Sequence, residues 1–250
     1  MSSVSVVVPM HATRDCLDEL LARIAASVPG AEVVLVDDAC PQGSGAAVLA
    51  LSGRLPGDLR CKLVTVRPGV GQHSAVLLGL ATSTAAVSVV MDADLQDPPE
   101  AIRSLVDALV EGSVPVVAAG RRGSYQGRGR LASGRWHRRT LHLASGGRVP
   151  KDAGMFLAMT GAARQAVLAL DDPVAPLLPA LARAGVPIRT IPVVRAPRTT
   201  GGTATTSGVR VRTSVRGLLT ILPVHPFVRS VRARRWQHPH ITVTDIGGRP

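Results

Sequence analysis

Short apolar runs alternate with helical patterns along the first half of the chain. Runs rich in β-branched residues begin at Val4 and Glu32, and further apolar runs cover residues 63–66 and 86–91. Between the first two, apolar residues recur from Leu17 to Val28 with the period of an amphipathic helix. Strands that alternate with helices favour a parallel sheet whose crossovers cover both faces. The pattern therefore predicts an α/β fold with a mostly parallel central sheet up to about Gly120.

The second half of the chain predicts fewer elements, separated by longer loops. Strands are expected at residues 114–119, 155–159 and 188–194, and helices near residues 162–170 and 177–184. Loops rich in arginine, glycine or threonine are expected at residues 121–134 and 195–208. We expect one catalytic domain over residues 1–222 and a basic C-terminal extension over residues 223–250.

Polar residues recur where the predicted strands end. The first strand stops at Pro9, the second at Asp37 and Asp38, the third at Arg67 and the fourth at Asp92. Ligands of open α/β sheets bind at the carboxyl ends of the strands. The pairing of the carboxylates favours a binding site there over simple strand termination.

The stretch Asp92–Glu100 carries the most informative chemistry. Asp92 and Asp94 directly follow a buried strand, so both carboxylates can approach one hard cation. Mg²⁺ or Mn²⁺ prefers such oxygen ligands and shares its other positions with phosphates. The sequence Asp97-Pro98-Pro99-Glu100 has the pattern of a helix start, so we expect Asp97 to cap the following helix and Glu100 to reach back in a capping box.

The amino-acid composition limits which classes of partner the chain is expected to bind. The chain has 250 residues, 46% of them hydrophobic, and a formal net charge of +12, so it can bury a core and attract phosphates, nucleic acid or acidic lipid. Aromatic residues make up only 2%, which weakens recognition by base stacking. Three cysteines at irregular spacing favour reduced thiols, and neither a signal peptide nor a membrane span is expected. We therefore expect a cytoplasmic protein.

Five stretches occur in the order and spacing of one known family. They are Val6-Val7-Val8-Pro9, Val34-Leu35-Val36-Asp37-Asp38, Arg67-Pro68-Gly69-Val70-Gly71 with Gln72 to Ala75, the acidic stretch from Asp92, and Arg198-Thr199-Thr200-Gly201-Gly202-Thr203. Over roughly residues 4–222 the chain resembles the family 2 glycosyltransferases, especially the dolichol-phosphate mannose synthase-like branch.

This resemblance implies a GT-A fold and an inverting, metal-dependent transfer from a nucleotide diphosphate sugar. It places Pro9, Asp37 and Asp38 around the nucleoside, and Gly71 at the donor. Asp92 would help to bind the donor and take part in catalysis. Asp94 and Gln96 would complete the Mg²⁺ or Mn²⁺ site, and Arg198 would belong to a late loop that closes over the diphosphate.

The resemblance also locates an acceptor site. It implies that Arg121, Arg135 and Arg138 bind an acceptor phosphate, a role that suits the guanidinium fork. Lys151-Asp152-Ala153-Gly154 resembles the family's strand entry near the acceptor. Asp152 would orient an acceptor that is already an ionised phosphate, would act as base for a hydroxyl acceptor, or would only cap a turn.

Several acceptors and partners are compatible with the sequence. A polyprenyl phosphate is favoured, with possible peripheral membrane contact through the apolar and basic residues 210–232, which could equally form a helix packed on the sheet. The alternative is a soluble enzyme that glycosylates a small natural product or a protein. A non-catalytic nucleic-acid-binding protein is a remote third class, and no nucleic acid partner is expected. His11 to Arg14 depart from the family pattern near the nucleoside.

Overall fold

Eight strands form one mixed sheet with helices on both faces. The structure, a computed structural model, describes residues 3–10, 13–122, 139–195, 217–221 and 239–247, with the backbone alone for residues 121 and 122. The strands are β1 (Val4–Met10), β2 (Glu32–Asp38), β3 (Arg60–Arg67), β4 (Val87–Val90), β5 (Val116–Arg122), β6 (Ala153–Thr160), β7 (Ile188–Val194) and β8 (His240–Asp245). Their order across the sheet is β7-β5-β6-β4-β1-β2-β3-β8.

The helices lie largely between the strands along the chain. They are α1 (Leu17–Ser27), α2 (Ser44–Ala50), α3 (Gln72–Thr82), α4 (Ala101–Glu111), α6 (Gly161–Leu168) and α7 (Leu177–Arg183), with a short 3-10 helix (Arg14–Cys16) before α1. The described part of α5 covers residues 139–144 and that of α8 covers residues 217–221. Among the described helices, none combines the length and apolar character needed to cross a lipid bilayer.

The centre of the sheet is parallel, as the apolar runs predict. β1 lies between β2 and β4 and runs parallel to both, while β2 also pairs in parallel with β3. β6 and β8 are the exceptions, because each runs antiparallel to its neighbours. The prediction of a mostly parallel α/β sheet is therefore confirmed.

Buried aliphatic side chains cover the two faces of the sheet separately. On one face α1, α2 and α4 pack on side chains such as Val33 and Leu35 of β2. On the other face α3, α6 and α7 pack on side chains such as Val34 and Val36 of the same strand. A strand that is buried on both faces has apolar residues at consecutive positions, which is why the apolar runs in the sequence are unbroken.

The start of α4 differs from the capping arrangement that the sequence predicts. The helix begins at Ala101 with Glu100 in the N-cap position, and the side chain of Glu100 caps no backbone amide. Both oxygens of Glu100 instead accept hydrogen bonds of 2.8 Å from Arg23 of α1, which also contacts Glu19. This fork of bonds lowers the pKa of Glu100 and ties α1 to the beginning of α4.

A buried carboxylate lies at the amino edge of the sheet, opposite the predicted ligand site. Glu32 begins β2 and accepts bonds from the ammonium of Lys62 at 2.7 Å, from the hydroxyls of Ser5 and Thr84, and from the amide of Thr84. Burial alone would raise the pKa of Glu32, but these bonds outweigh it and lower the pKa to about 2. The network joins β1, β2, β3 and the segment before β4.

Candidate active site

The carboxyl ends of three neighbouring parallel strands bring the predicted donor residues together. In β1, Pro9 pairs with Val36, and the next residue pairs with Asp37. On the other side of β1, β4 ends at Val90, two residues before Asp92. Pro9, Asp37 and Asp92 therefore lie at one edge of the sheet, where ligands of α/β folds bind.

Asp37 is held in one orientation by the protein. Its side chain is buried, with Oδ1 accepting from the amide of Cys40 and Oδ2 from the guanidinium of Arg67, each at 2.8 Å. Arg67 also donates to the carbonyl of Asp37 at 3.2 Å. A β-carbon at Gly45 would come within 2.4 Å of Asp37 Oδ2, so only glycine leaves room for this carboxylate.

Asp38 organises the loop between β3 and α3. Its two oxygens accept hydrogen bonds from the amides of Val70 at 2.5 Å and Gly71 at 2.7 Å. The next residue, Ala39, has a φ of 51°, in the left-handed region that costs an alanine about 1 kcal/mol. Each oxygen of Asp38 keeps a second lone pair, and a hydrogen bond from a nucleoside would use that lone pair.

The acidic turn, defined as Asp92–Asp97, has an alternating pattern of burial. Ala93, Leu95 and Asp97 are buried, whereas the predicted metal and donor ligands Asp92, Asp94 and Gln96 are half-buried. Asp94 Oδ1 accepts from the backbone amide of Gln96 at 3.2 Å. The turn thus holds its even-numbered side chains within reach of solvent.

The backbone of the acidic turn is strained and is supported from outside. Leu95 has a φ of 58°, which is uncommon for a residue with a β-carbon and is typical of functional sites. The thiol of Cys16 lies 3.2 Å from the carbonyl of Ala93, the residue between Asp92 and Asp94. The side-chain amide of Gln72 donates to Asp92 Oδ1 at 2.7 Å.

Residues 67–72 connect the two pairs of acids. Arg67 binds Asp37, Gly71 binds Asp38, and Gln72, the first residue of α3, binds Asp92. The segment therefore fixes the positions of carboxylates that follow two different strands. The predicted role of Gly71 at the donor remains a prediction.

The predicted acceptor side lies at the same edge. Because β6 is antiparallel, Asp152, just before it, lies at the edge where β4 and β5 end. Asp152 is exposed, and both of its oxygens lie 3.2 Å from the hydroxyl of Thr190. A β-carbon at Gly120 would approach Asp152 Oδ2 to 2.6 Å. Arg121 follows Gly120 in β5, where its backbone pairs with Val193.

The other predicted arginines lie outside the described residues. These are the acceptor-phosphate candidates Arg135 and Arg138, and Arg198 of the late loop. Their predicted roles therefore remain predictions.

The oxygen donors of the acidic turn fit a divalent cation that is shared with a diphosphate. Within the described residues, no group of three or more His, Cys, Asp or Glu side chains could hold a metal ion. Mg²⁺ needs only one or two carboxylates when substrate phosphates and water complete its octahedron. Asp92 and Asp94 provide two carboxylates, and Gln96 provides an amide oxygen next to them.

The sequence did not single out several residues that support the site. Gln72 and Arg67 stand in the motif around Gly71, but the motif does not show which carboxylates they bind. The sequence gives no signal for the contact between Cys16 and Ala93, because Ala93 lies far along the chain; the thiol is also 3.4 Å from the nearby carbonyl of Thr13. Thr190 lies in a predicted strand, and only the antiparallel path of β6 brings Asp152 to it.

The fold and the site define a class of α/β proteins that bind their ligands at the carboxyl edge of the sheet. The comparisons with known proteins make this class more specific. The chain belongs to glycosyl transferase family 2, whose model matches residues 5–167, more than half of the chain.

Two curated relatives are similar to part of the chain. The dolichol-phosphate mannosyltransferase of Pyrococcus furiosus is 38% identical over 112 residues, which cover 44% of this chain and 31% of that protein. The undecaprenyl-phosphate 4-deoxy-4-formamido-L-arabinose transferase of Edwardsiella ictaluri is 39% identical over 113 residues, covering 44% of this chain and 34% of that protein. The match thus spans about a third of the length of these relatives.

Solved structures confirm the predicted GT-A fold. Glucosyl-3-phosphoglycerate synthase from Mycobacterium tuberculosis, in complex with Mn²⁺, UDP-glucose and phosphoglyceric acid, superposes with a TM-score of 0.65 at 20% identity, covering 88% of this chain and 79% of that one. The complex of the same synthase with Mg²⁺ and UDP gives a TM-score of 0.62, also at 20% identity, and covers 88% and 78%. At this identity the likeness concerns the fold alone.

Proposed function

We propose that the chain is the catalytic part of an inverting, metal-dependent glycosyltransferase that moves a sugar from a nucleotide diphosphate sugar to a polyprenyl phosphate. The observation that carries this proposal is the acidic turn at the carboxyl edge of the sheet. Its half-buried Asp92, Asp94 and Gln96 lie beside the end of β1, and β1 separates them from Asp37 and Asp38.

The donor would lie across the ends of β1, β2 and β4. Pro9, Asp37 and Asp38 would surround the nucleoside, with Asp37 held in one orientation by Arg67. Gly71 and Asp92 would approach the diphosphate, and Arg198 would close over it. Holding the donor in one orientation lowers the activation barrier of transfer, because the entropy of orienting it is already lost on binding.

Asp94 and Gln96 would hold a Mg²⁺ or Mn²⁺ ion, with Asp92 beside them. When bound, such an ion stabilises the negative charge that develops on the departing nucleoside diphosphate. The contacts of Cys16 with Ala93 and of Gln72 with Asp92 keep the carboxylates in place before the substrate arrives. This preorganisation makes electrostatic stabilisation effective.

The acceptor would enter from the β5 and β6 side. Arg121, Arg135 and Arg138 would bind its phosphate, and a phosphate oxygen would attack the anomeric carbon as the bond to the nucleoside diphosphate breaks. One in-line displacement of this kind inverts the anomeric configuration. A phosphate is already ionised, so no general base is required, and Asp152 would orient the acceptor.

A soluble acceptor with a hydroxyl group is the second candidate. The exposure of Asp152 at the site edge and its contact with Thr190 favour this alternative, because the carboxylate could accept a proton from an incoming hydroxyl. The curated relatives favour the lipid route, since their names specify dolichol phosphate and undecaprenyl phosphate.

Two experiments in sequence test the proposal. A thermal-shift screen of UDP, GDP, CDP and their sugars, each with and without Mn²⁺, identifies the donor, because a ligand of the native state raises the melting temperature. The radiolabelled donor is then incubated with undecaprenyl or dolichyl phosphate and extracted. Metal-dependent label in the organic phase supports the proposal, whereas transfer only to water-soluble acceptors supports the alternative, and no metal-dependent binding of any nucleotide overturns both.

The division of the chain and its location in the cell are parts of the same proposal. Residues 1–222 would form the transferase domain and residues 223–250 a basic extension. A lipid acceptor would be met by peripheral contact at the cytoplasmic face of a membrane. Sedimentation with anionic and with neutral vesicles measures this contact directly.

A further inference from the structure

A buried ion pair joins the last residue of the acidic turn to the residue that follows β7. The side chains of Asp97 and Arg195 are 4% and 8% exposed, and Asp97 Oδ1 lies 2.6 Å from Arg195 Nε. The two residues follow strands that are separated by two others in the sheet, because the acidic turn follows β4, Arg195 follows β7, and β5 and β6 lie between them. The pair therefore crosses over the ends of β5 and β6.

The surroundings of the pair are apolar and nearly closed. A cavity of about 10 Å³ adjoins both side chains, and Gly120, Phe156 and Val193 contribute to its wall. This volume has room for about one water molecule. In such surroundings the two charges attract each other strongly, and removal of either one would cost the other a buried ion pair.

A buried ion pair stabilises a fold only weakly compared with apolar side chains of similar size. The geometry that the ion pair imposes on the acidic turn therefore explains its presence better than a contribution to the free energy of unfolding. Asp97 directly follows Gln96, and the turn contains the strained Leu95, so the turn needs contacts beyond its own backbone. Cys16 and Gln72 supply two of them at Ala93 and Asp92, and Arg195 supplies a third at the far end of the turn.

We propose that Asp97 and Arg195 are positioning residues that set the distance between the acidic turn and the chain leaving β7. Arg195 directly follows β7, so the pair holds the acidic turn against the carboxyl end of that strand. This role rests on the proposed function of the acidic turn. Neither residue of the pair is expected to touch the substrate.

Substitutions of Asp97 and Arg195 by uncharged residues distinguish a positioning role of the pair from a contribution to the stability of the fold alone. Arg195→Met should lower the melting temperature, because the buried carboxylate of Asp97 loses this ion pair. The double variant Asp97→Asn/Arg195→Met removes both charges and should regain most of that melting temperature. If the pair positions the turn, the double variant still binds Mn²⁺ with nucleoside diphosphate about 10–100-fold more weakly, the range seen when supports of metal ligands are lost.

Arg103→Met is the matched control. Arg103 forms an ion pair with Asp107 in α4, with an Nε to Oδ2 distance of 3.2 Å, but both side chains are 50% exposed. Loss of this pair should change neither the melting temperature nor the binding of Mn²⁺ by a measurable amount. Arg195→Lys keeps the charge without the planar fork, and it should recover part of the affinity.

Calorimetry with Mn²⁺ and UDP or GDP, together with amide hydrogen exchange in the ligand-free protein, tests the proposal. We expect weaker binding and faster exchange at residues 93–96 in the double variant, with both unchanged in Arg103→Met. A double variant with wild-type affinity and exchange overturns the positioning role alone. A wild-type protein that binds no nucleotide with Mn²⁺ overturns the proposed function and this role with it.

Discussion

The side-chain amide of Gln72 lies 2.7 Å from Oδ1 of Asp92, so the first residue of α3 is hydrogen-bonded to the acidic turn. This contact joins the loop after β3 to the end of β4 and leaves Asp92 with fewer orientations.

Replacement of Gln72 should weaken the donor site without unfolding the protein. Gln72→Ala removes the hydrogen bond that orients Asp92, and we expect kcat/KM to fall about 10–100-fold, as for other supports of metal ligands. Steady-state kinetics with the donor found in the thermal-shift screen measures the effect. Gln165→Ala changes an exposed glutamine in α6 and should have wild-type kinetics; equal activities of the two variants would contradict the role of Gln72.

Asp94 should be essential for transfer but of little importance for folding. Asp94→Ala removes a metal ligand, so the loss of activity should exceed the 10–100-fold range of the supporting residues. The side chain is half-buried and accepts a hydrogen bond from the nearby amide of Gln96, so the free energy of unfolding should fall by only about 1 kcal/mol. Wild-type turnover in purified Asp94→Ala would refute the assignment, and Asp107→Ala on the surface of α4 is the control.

Chelation should stop the reaction reversibly. We expect EDTA to abolish transfer and also to abolish the rise in melting temperature that the nucleotide causes, because the diphosphate is shared with the ion. Mg²⁺ or Mn²⁺ in excess should restore both. Full activity after exhaustive chelation, verified by elemental analysis, would rule out metal dependence.

The thiol of Cys16 should matter for metal binding through the Ala93 carbonyl. Cys16→Ala removes the donor at 3.2 Å, which should cost about 1–2 kcal/mol of unfolding free energy and reduce Mn²⁺ affinity in the presence of nucleotide. Cys16→Ser retains a donor and should lose less affinity.

Cys61→Ala provides the comparison for this thiol. Cys61 is also buried, and burial raises the pKa of its thiol to about 12, but it lies in β3 at the position paired with Val33. Its replacement should reduce stability and leave Mn²⁺ affinity unchanged. Equal losses of affinity in the two alanine variants would show that the Cys16 contact has no special role.

Glu32 should contribute stability that depends on pH. Its pKa in the folded protein is about 2, below the ordinary 4.5, so the contribution is present above about pH 4.5 and is lost as the pH falls towards 2. Glu32→Gln should lower the unfolding free energy by on the order of 3 kcal/mol at neutral pH. Urea unfolding at several pH values measures the difference, which should shrink in acid; a constant difference, or an equal effect of the exposed Glu111→Gln, would contradict this.

The sequence predicts the elements well because buried parallel strands leave a clear pattern. The runs at Val4 and Glu32 became β1 and β2, and the amphipathic residues from Leu17 became α1. An apolar run carries no information about direction, so the antiparallel course of β6 was not predicted. Strand β8 was missed as well, because all six of its residues are exposed and leave no buried run.

The residues of the candidate site also divide into those that the sequence predicts and those that it does not. Asp37, Asp38, Asp92 and Asp94 were identifiable because each pair follows a predicted strand. Their supports were not, because a hydrogen bond from Gln72 or a thiol contact from Cys16 depends on how distant segments meet. Asp97 shows this most clearly, since its local pattern indicates a helix cap while its charge partner, Arg195, comes from the far half of the chain.

The order of the strands suggests how specificity could diverge in such proteins. In the proposed function the nucleotide side is built from β1 to β4, which are consecutive along the chain, whereas the acceptor side is built from β5, β6 and β7, and the two blocks meet where β4 pairs with β6. Mutations that remodel one block need not disturb the hydrogen bonding within the other. Under this proposal, exchange of the chain from β5 to β7 would change the recipient of the sugar while the same carrier nucleotide is retained. Strand β8 would have to stay with the first block in such hybrids, because it pairs with β3.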